Sequence, residues 1–256
     1  MKGGTNMTDR RIESIRKALK ESRYTVAICG SGVLDECGLG AIKSPQRAYE
    51  IEERYGVSPE YIFTDAYFST RTAKFFEFYR NEMLLDIEPS ATSRCLAALE
   101  QKGRLDSIIT ANIYELPQRA GCTNVINIHG SIYRNVCPRC RREYPLSYIR
   151  ETPKVPLCES CGAVIRPQLA LFGDMLDANT IARATEEVEK ADVLLLLGTT
   201  LDSEVFHNYI KYFEGSKMIL IHPEEHRLDK NADIVVYDMP GQALSCVLGW
   251  EETEEN

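Results

Sequence analysis

Cys137, Cys140, Cys158 and Cys161 are spaced as C-x2-C, a gap of 17 residues, then C-x2-C. Each C-x2-C turn presents two sulfurs to one side of a metal, so two such turns fill the four corners of a structural zinc tetrahedron. Four thiolates leave no open coordination position, which makes the expected metal a staple for the fold. The segment between and around the pairs, 133–166, therefore folds about a point and forms a small zinc ribbon of its own. That ribbon interrupts a chain whose remaining apolar segments follow a different pattern.

Those segments are short and continuous. They are Tyr24–Cys29, Leu105–Thr110, Val125–Ile128, Val193–Leu197, Met218–Ile221 and Ile234–Tyr237. Helical periodicity falls between them at 8–22, 65–82, 90–102, 179–190, 203–214 and 241–248. Unbroken apolar strands alternating with helices predict an α/β fold, a Rossmann-like parallel sheet covered by helices on both faces. Residues 39–64 show no clear period. The expected organisation is a discontinuous Rossmann-like domain from 8–38, 83–132 and 167–249. A small domain of 39–82 and 133–166 carries the helical insertion and the zinc ribbon. Flexible termini are expected at 1–7 and 250–256.

With 256 residues, 44% hydrophobic, the chain has enough apolar side chains for one large core or two. A net charge of −8 argues against a general nucleic-acid binder, and no specific nucleic-acid partner is expected. The remaining cysteines, Cys29, Cys37, Cys95, Cys122 and Cys246, show no pairing pattern, which fits a reducing compartment. Neither a signal peptide nor an apolar stretch of membrane-spanning length is visible, so no membrane partner and a cytoplasmic location are expected.

The candidate chemistry follows the strands. Gly30-Ser31-Gly32 after the first strand is a G-x-G turn of the kind that lets backbone approach a pyrophosphate at a helix start. Gly198-Thr199-Thr200 closes another strand in the same way. Ligands of open α/β sheets gather at such carboxyl ends. Asn112 follows Leu105–Thr110 and offers a carboxamide either to a ribose or amide group or to a helix start as a cap. His129 follows the next strand and precedes Gly130, which permits close approach, so it is a candidate general base.

Taken in order, Gly30–Gly32, Thr110-Ala111-Asn112-Ile113, His129-Gly130, the four cysteines, Phe172-Gly173-Asp174-Met175-Leu176 and Gly198–Leu201 resemble the sirtuin family. The resemblance spans about residues 10–248. It implies an NAD-dependent protein lysine deacylase, with NAD and an acyl-lysine peptide as ligands and zinc as a structural ion. It also implies His129 as the base acting on a ribose hydroxyl and Asn112 as a second catalytic and NAD-contacting residue. The implied NAD contacts are Gly30, Ser31, Gly32, Lys43, Gly198, Thr199, Thr200 and His222. Leu169–Phe172 and the segment after Thr200 are implied to clamp the peptide as an added strand.

This chain departs from the family pattern around the cofactor. Ala41 replaces an acid, Ile42 an aromatic residue and Lys43 an arginine, whose planar fork lysine does not reproduce. Ala111 replaces a glutamine, Tyr114 an aspartate that pairs with the nicotinamide amide, and His222 an asparagine that reaches the adenosine ribose. An alternative reading is therefore a sirtuin-fold module that binds NAD, ADP-ribose or a protein partner without deacylation. NAD hydrolysis or ADP-ribosyl transfer is another.

Overall fold

The computed structural model describes residues 7–39 and 44–250. Ala41, Ile42 and Lys43 lie outside these residues, as do the expected flexible ends apart from Met7 and Trp250. Along the chain run α1 (Met7–Glu21), β1 (Thr25–Cys29), α2 (Pro45–Tyr55), α3 (Pro59–Ile62), α4 (Asp65–Thr70) and α5 (Thr72–Phe78). There follow α6 (Ala91–Gln101), β2 (Ser107–Thr110), α7 (Leu116–Arg119), β3 (Val125–Asn127), β4 (Gly130–Val136), β5 (Glu143–Tyr144), α8 (Leu146–Glu151) and β6 (Arg166–Leu169). The last are α9 (Ala178–Lys190), β7 (Val193–Leu197), α10 (His207–Ile210), β8 (Lys217–Ile221), β9 (Ile234–Val236) and α11 (Pro240–Leu248).

Two compact units result. The first comprises Met1–Leu39, Glu88–Ile128 and Ala178–Asn256. Its six strands form a sheet in the order β3-β2-β1-β7-β8-β9, and every neighbouring pair is parallel. Because side chains alternate across a strand, Ala27, Cys29, Leu195, Leu197, Ile219 and Ile221 share one face. They pack there with Ile15 and Leu19 of α1, Leu96 of α6 and Leu244 of α11. The alternate residues Val26, Ile28, Leu194, Leu196 and Leu220 are equally inaccessible. The central strands are thus buried on both faces, which is why their sequences are unbroken apolar runs.

The second unit comprises Gly40–Ile87 and His129–Asp177. Here β4 is the middle strand of an antiparallel sheet, β5-β4-β6, with a register irregularity between Ser131 and Asn135. Its helical part is held by packed rings. Phe75 lies edge-on to Phe68 with centroids 5.0 Å apart and stacks on Tyr79 at 5.7 Å. The Phe172 amide donates to the Phe63 carbonyl at 2.8 Å, tying the Phe172–Leu176 loop to this cluster.

Three expectations are corrected. The helix expected over 65–82 is two helices and a π turn, Tyr79–Met83. Thr70 and Thr72 turn their hydroxyls back onto the carbonyls of Ala66 and Phe68, a habit of threonine that loosens and bends helices, and the break falls at Arg71 between them. The aperiodic stretch 39–64 contains α2 and α3. Ser44-Pro45 and Ser58-Pro59 start them and Gly56, at φ +74°, ends the first. These boundary signals are in the sequence, but among the described side chains of α2 only Ile51 is buried, so no apolar stripe announces it. The helix expected over 203–214 shrinks to α10, with bonds of three- and four-residue spacing mixed around it. It is tightened by Gly215, whose missing side chain would meet the Ala191 carbonyl at 2.3 Å.

Candidate functional site

In the first unit β1, β7 and β8 are parallel neighbours, so the segments following them leave the sheet at one rim. Gly30 donates to the Leu197 carbonyl at 2.9 Å, Gly32 to the Gly198 carbonyl at 3.0 Å, and Gly198 to the Ile221 carbonyl at 2.9 Å. The two glycine turns therefore interlock. A Cβ on Gly30 would meet the Gly198 oxygen at 2.4 Å, and one on Gly198, which sits at φ +57°, would meet the Val33 nitrogen at 2.7 Å. These glycines are required first by each other.

The turn at Gly30–Gly32 opens a 3-10 stretch, Ser31–Cys37, where an α-helix start was expected. Ser31 is exposed, and its N–H, first in that stretch, has no acceptor inside it. The rim thus suits an oxygen-rich ligand held by single amides; it lacks the aligned dipole of a full helix. Thr199 is buried. The Thr200 side chain hydrogen-bonds Asp202, which holds that carboxyl below its usual range.

Asn112 is buried beside the end of β2. Its N–H donates to Thr110 Oγ1 at 3.0 Å, and its Oδ1 accepts the Tyr114 N–H at 2.7 Å. The side chain therefore caps a local turn through its oxygen, while its amide NH2 has no acceptor among the described residues. Of the two roles open to this residue, turn cap and ligand donor, the geometry accommodates both at once. Tyr114, whose backbone this bond fixes, is only 5% exposed.

His222 follows β8 and is 3% exposed. Its Nε2 lies 3.3 Å from Asp229 Oδ2, itself buried, and its ring lies tilted at 5.0 Å from His226 and edge-on to Tyr237 at 5.8 Å. Burial pushes the imidazole pKa down, against the opposing pull of Asp229. The side chain implied as a ribose contact is thus turned onto a buried carboxylate, an acid that no motif marks.

His129 belongs to the second unit and is partly buried there. Its carbonyl accepts the Ala170 N–H at 3.1 Å. Gly130, at φ +77°, admits the Gln168 carbonyl, which a Cβ would meet at 2.0 Å. The close approach expected of this glycine is made by β6. At the start of β6, Arg166 bonds Asp65 at 2.5 Å and Asp174 at 3.0 Å, and it lies 5.0 Å over the Phe68 ring. Asp174 also accepts the Leu171 N–H at 3.0 Å.

The four cysteines converge. All four sulfurs lie within 4.8 Å of one another, with Cys137 and Cys161 at 3.4 Å and Cys140 and Cys158 at 3.5 Å. A tetrahedron with Zn–S of about 2.3 Å requires sulfur separations near ~3.8 Å, so the set fits zinc. The two knuckles share one backbone form. Cys137 donates to Arg142 and Cys158 to Ala163, and the residue after each second cysteine, Arg141 at φ 64° and Gly162 at φ 70°, is left-handed. Tyr144 Oη donates to Cys158 Sγ at 3.2 Å, and this bond brings the thiol down to about 6. Tyr144 was not singled out in the sequence, where it is one aromatic residue among many.

The structure thus gathers Gly30–Gly32, Asn112, Gly198–Thr200 and His222 onto segments leaving one sheet, and places His129 and the cysteines in the other unit. Residues 30–205 match the Sir2 family. An NAD-dependent protein deacetylase of Clostridium acetobutylicum is 34% identical over 240 residues, covering 93% of this chain and 98% of its own. A solved structure concerned with sirtuin substrate affinity superposes with a TM-score of 0.85 at 26% identity, covering 93% of this chain and 98% of that one. A solved Sir2–p53 peptide–NAD+ complex gives a TM-score of 0.80, also at 26% identity, over 93% of this chain and 97% of that one.

Proposed function

Since the chain belongs to the Sir2 family, we propose that it works as an NAD-dependent protein deacylase, moving an acyl group from a lysine side chain to the ADP-ribose moiety of NAD as nicotinamide leaves. It is an enzyme, with NAD as co-substrate and zinc as its structural ion. The observation that carries the reading is the single rim shared by two interlocked glycine turns and Asn112. That rim supplies an exposed serine, a side-chain amide donor and, at Ser31, a backbone N–H with no acceptor in its own 3-10 stretch.

In this reading Gly30–Gly32 and Gly198–Thr200 line the dinucleotide, and the free NH2 of Asn112 donates to it. His129 takes the proton from a ribose hydroxyl. His222, engaged with Asp229, serves the ribose only after turning from that carboxylate. Lys43 supplies charge toward the phosphates. The sheet-forming unit is assigned the nucleotide, and the other unit the zinc ribbon. A protein is the second substrate, bound as an acyl-lysine segment along Leu169–Phe172. Among the described residues no helix is long and apolar enough to cross a membrane. None of the nine cysteines is paired in a disulfide, which supports a reducing, cytoplasmic setting.

The test is release of nicotinamide from NAD with an acetyl-lysine peptide, using the zinc-loaded protein. Turnover that requires the peptide and falls at least about 100-fold in His129→Ala supports the reading. ADP-ribose binding with no nicotinamide released across several acyl chains would instead leave a binding module.

A further inference from the structure

The 3-10 stretch Ser31–Cys37 is fastened at both ends. Its start is held by the Gly32–Gly198 hydrogen bond already described. Near its end, the partly buried Glu36 carboxylate accepts three hydrogen bonds. Thr92 N–H reaches Oε2 at 2.8 Å, Thr92 Oγ1 reaches Oε1 at 2.6 Å, and Gly241 N–H reaches Oε1 at 2.7 Å. Thr92 and Gly241 are each the second residue of a helix, α6 and α11. The N-cap residue of α11, Met239, makes no side-chain cap bond, so Glu36 supplies the acceptor that this helix start lacks. Two positive helix ends converge on one negative group. They come so close that a Cβ on Gly241 would meet the Ala91 Cβ at 2.6 Å and the Thr92 nitrogen at 2.8 Å.

We propose that Glu36 is a positioning residue for the Gly30–Gly32 turn: it pins the stretch after the turn to α6 and α11, so that Ser31 and its N–H are presented to NAD in one conformation. This rests on the reading of that turn as part of the NAD site. Glu36 lies six residues from Gly30, and its role is to cut the ordering that cofactor binding would otherwise require.

Glu36→Gln keeps the length but offers one acceptor oxygen and no charge, while Glu36→Asp keeps the charge on a shorter arm. In the zinc-loaded full chain, Glu36→Gln is expected to raise KM for NAD about tenfold, with kcat and the acetyl-peptide KM changed less than about twofold. Glu36→Asp is expected to recover part of the loss. Amide hydrogen exchange is expected to quicken in Ser31–Leu39 and in the first turns of α6 and α11, with β1 and β7 unchanged. An unchanged KM for NAD, or equal rises for NAD and peptide with faster exchange throughout the sheet, overturns the proposal. If the wild type binds NAD by calorimetry but turns over no peptide, the deacylase reading falls, and the calorimetric NAD affinity of the variants still decides the role of Glu36. A wild type giving no heat with NAD overturns both, before any variant is made.

Discussion

At the scale of single residues, the glycines separate by cause. Gly38 sits at φ +70° with nothing within 4 Å of a would-be Cβ, whereas Gly198 combines φ +57° with the Val33 backbone at 2.7 Å. Gly38→Ala therefore carries only the left-handed strain, about 1 kcal/mol. Gly198→Ala adds a clash that no flexible side chain relieves and is expected to cost about 2–4 kcal/mol in urea unfolding. Equal losses at the two positions would sink the interlock. His222 gives a pH signature. Its pKa in the fold lies below the usual 6.5, burial being the main cause, so the unfolded chain binds its proton more readily. Stability associated with this group is present above that value and is lost as pH falls through it. Thermal unfolding of Asn-substituted protein, His222→Asn, should show a shallower loss between about pH 7 and 5.5 than the wild type. The positions of Gly30–Gly32, Gly198 and Asn112 at strand ends were legible in the sequence, because each follows an apolar run. The partners Asp229, Glu36 and Tyr144 were not, since they reach their contacts from distant segments.

At the scale of elements, the zinc ribbon is the piece most fully written into the local sequence. Two C-x2-C turns dictated both knuckles, down to the left-handed residue after each second cysteine. Tyr144 at the end of β5 adds an outer hydrogen bond to one ligand. Tyr144→Phe should speed zinc release to a chromogenic chelator about tenfold, with secondary structure retained; an unchanged release rate would show that the phenol only fills space. The buried strands were legible for a similar reason, since burial on both faces leaves no polar alternation to confuse them. Helices fared worse where tertiary packing overrode local signals. Thr70 and Thr72 split one expected helix, and the cramped approach of Gly215 to Ala191 curtailed another. Conversely α2, nearly all of it facing outward, could be recognised only by its caps.

At the scale of the whole molecule, the two units depend on different interactions. The sheet of the first is closed by its own apolar core, while β5-β4-β6 is small and leans on the four sulfurs. Chelation should therefore raise amide exchange across His129–Asp177 well before β1 and β7 lose protection. Simultaneous loss in both would mean that the ion stabilises the chain as one cooperative body. The central position of β1 has a further consequence. Its partner β7 pairs Thr25 with Val193, 168 positions later in the chain (193 minus 25). A ribosome adding about 5–20 residues per second needs roughly 8–34 s to deliver that partner. During this interval the nascent first strand waits with one edge bare; the cysteine knuckles are complete at Cys161, 32 positions before Val193 (193 minus 161), which leaves them roughly 1.6–6.4 s to capture their ion before β7 arrives.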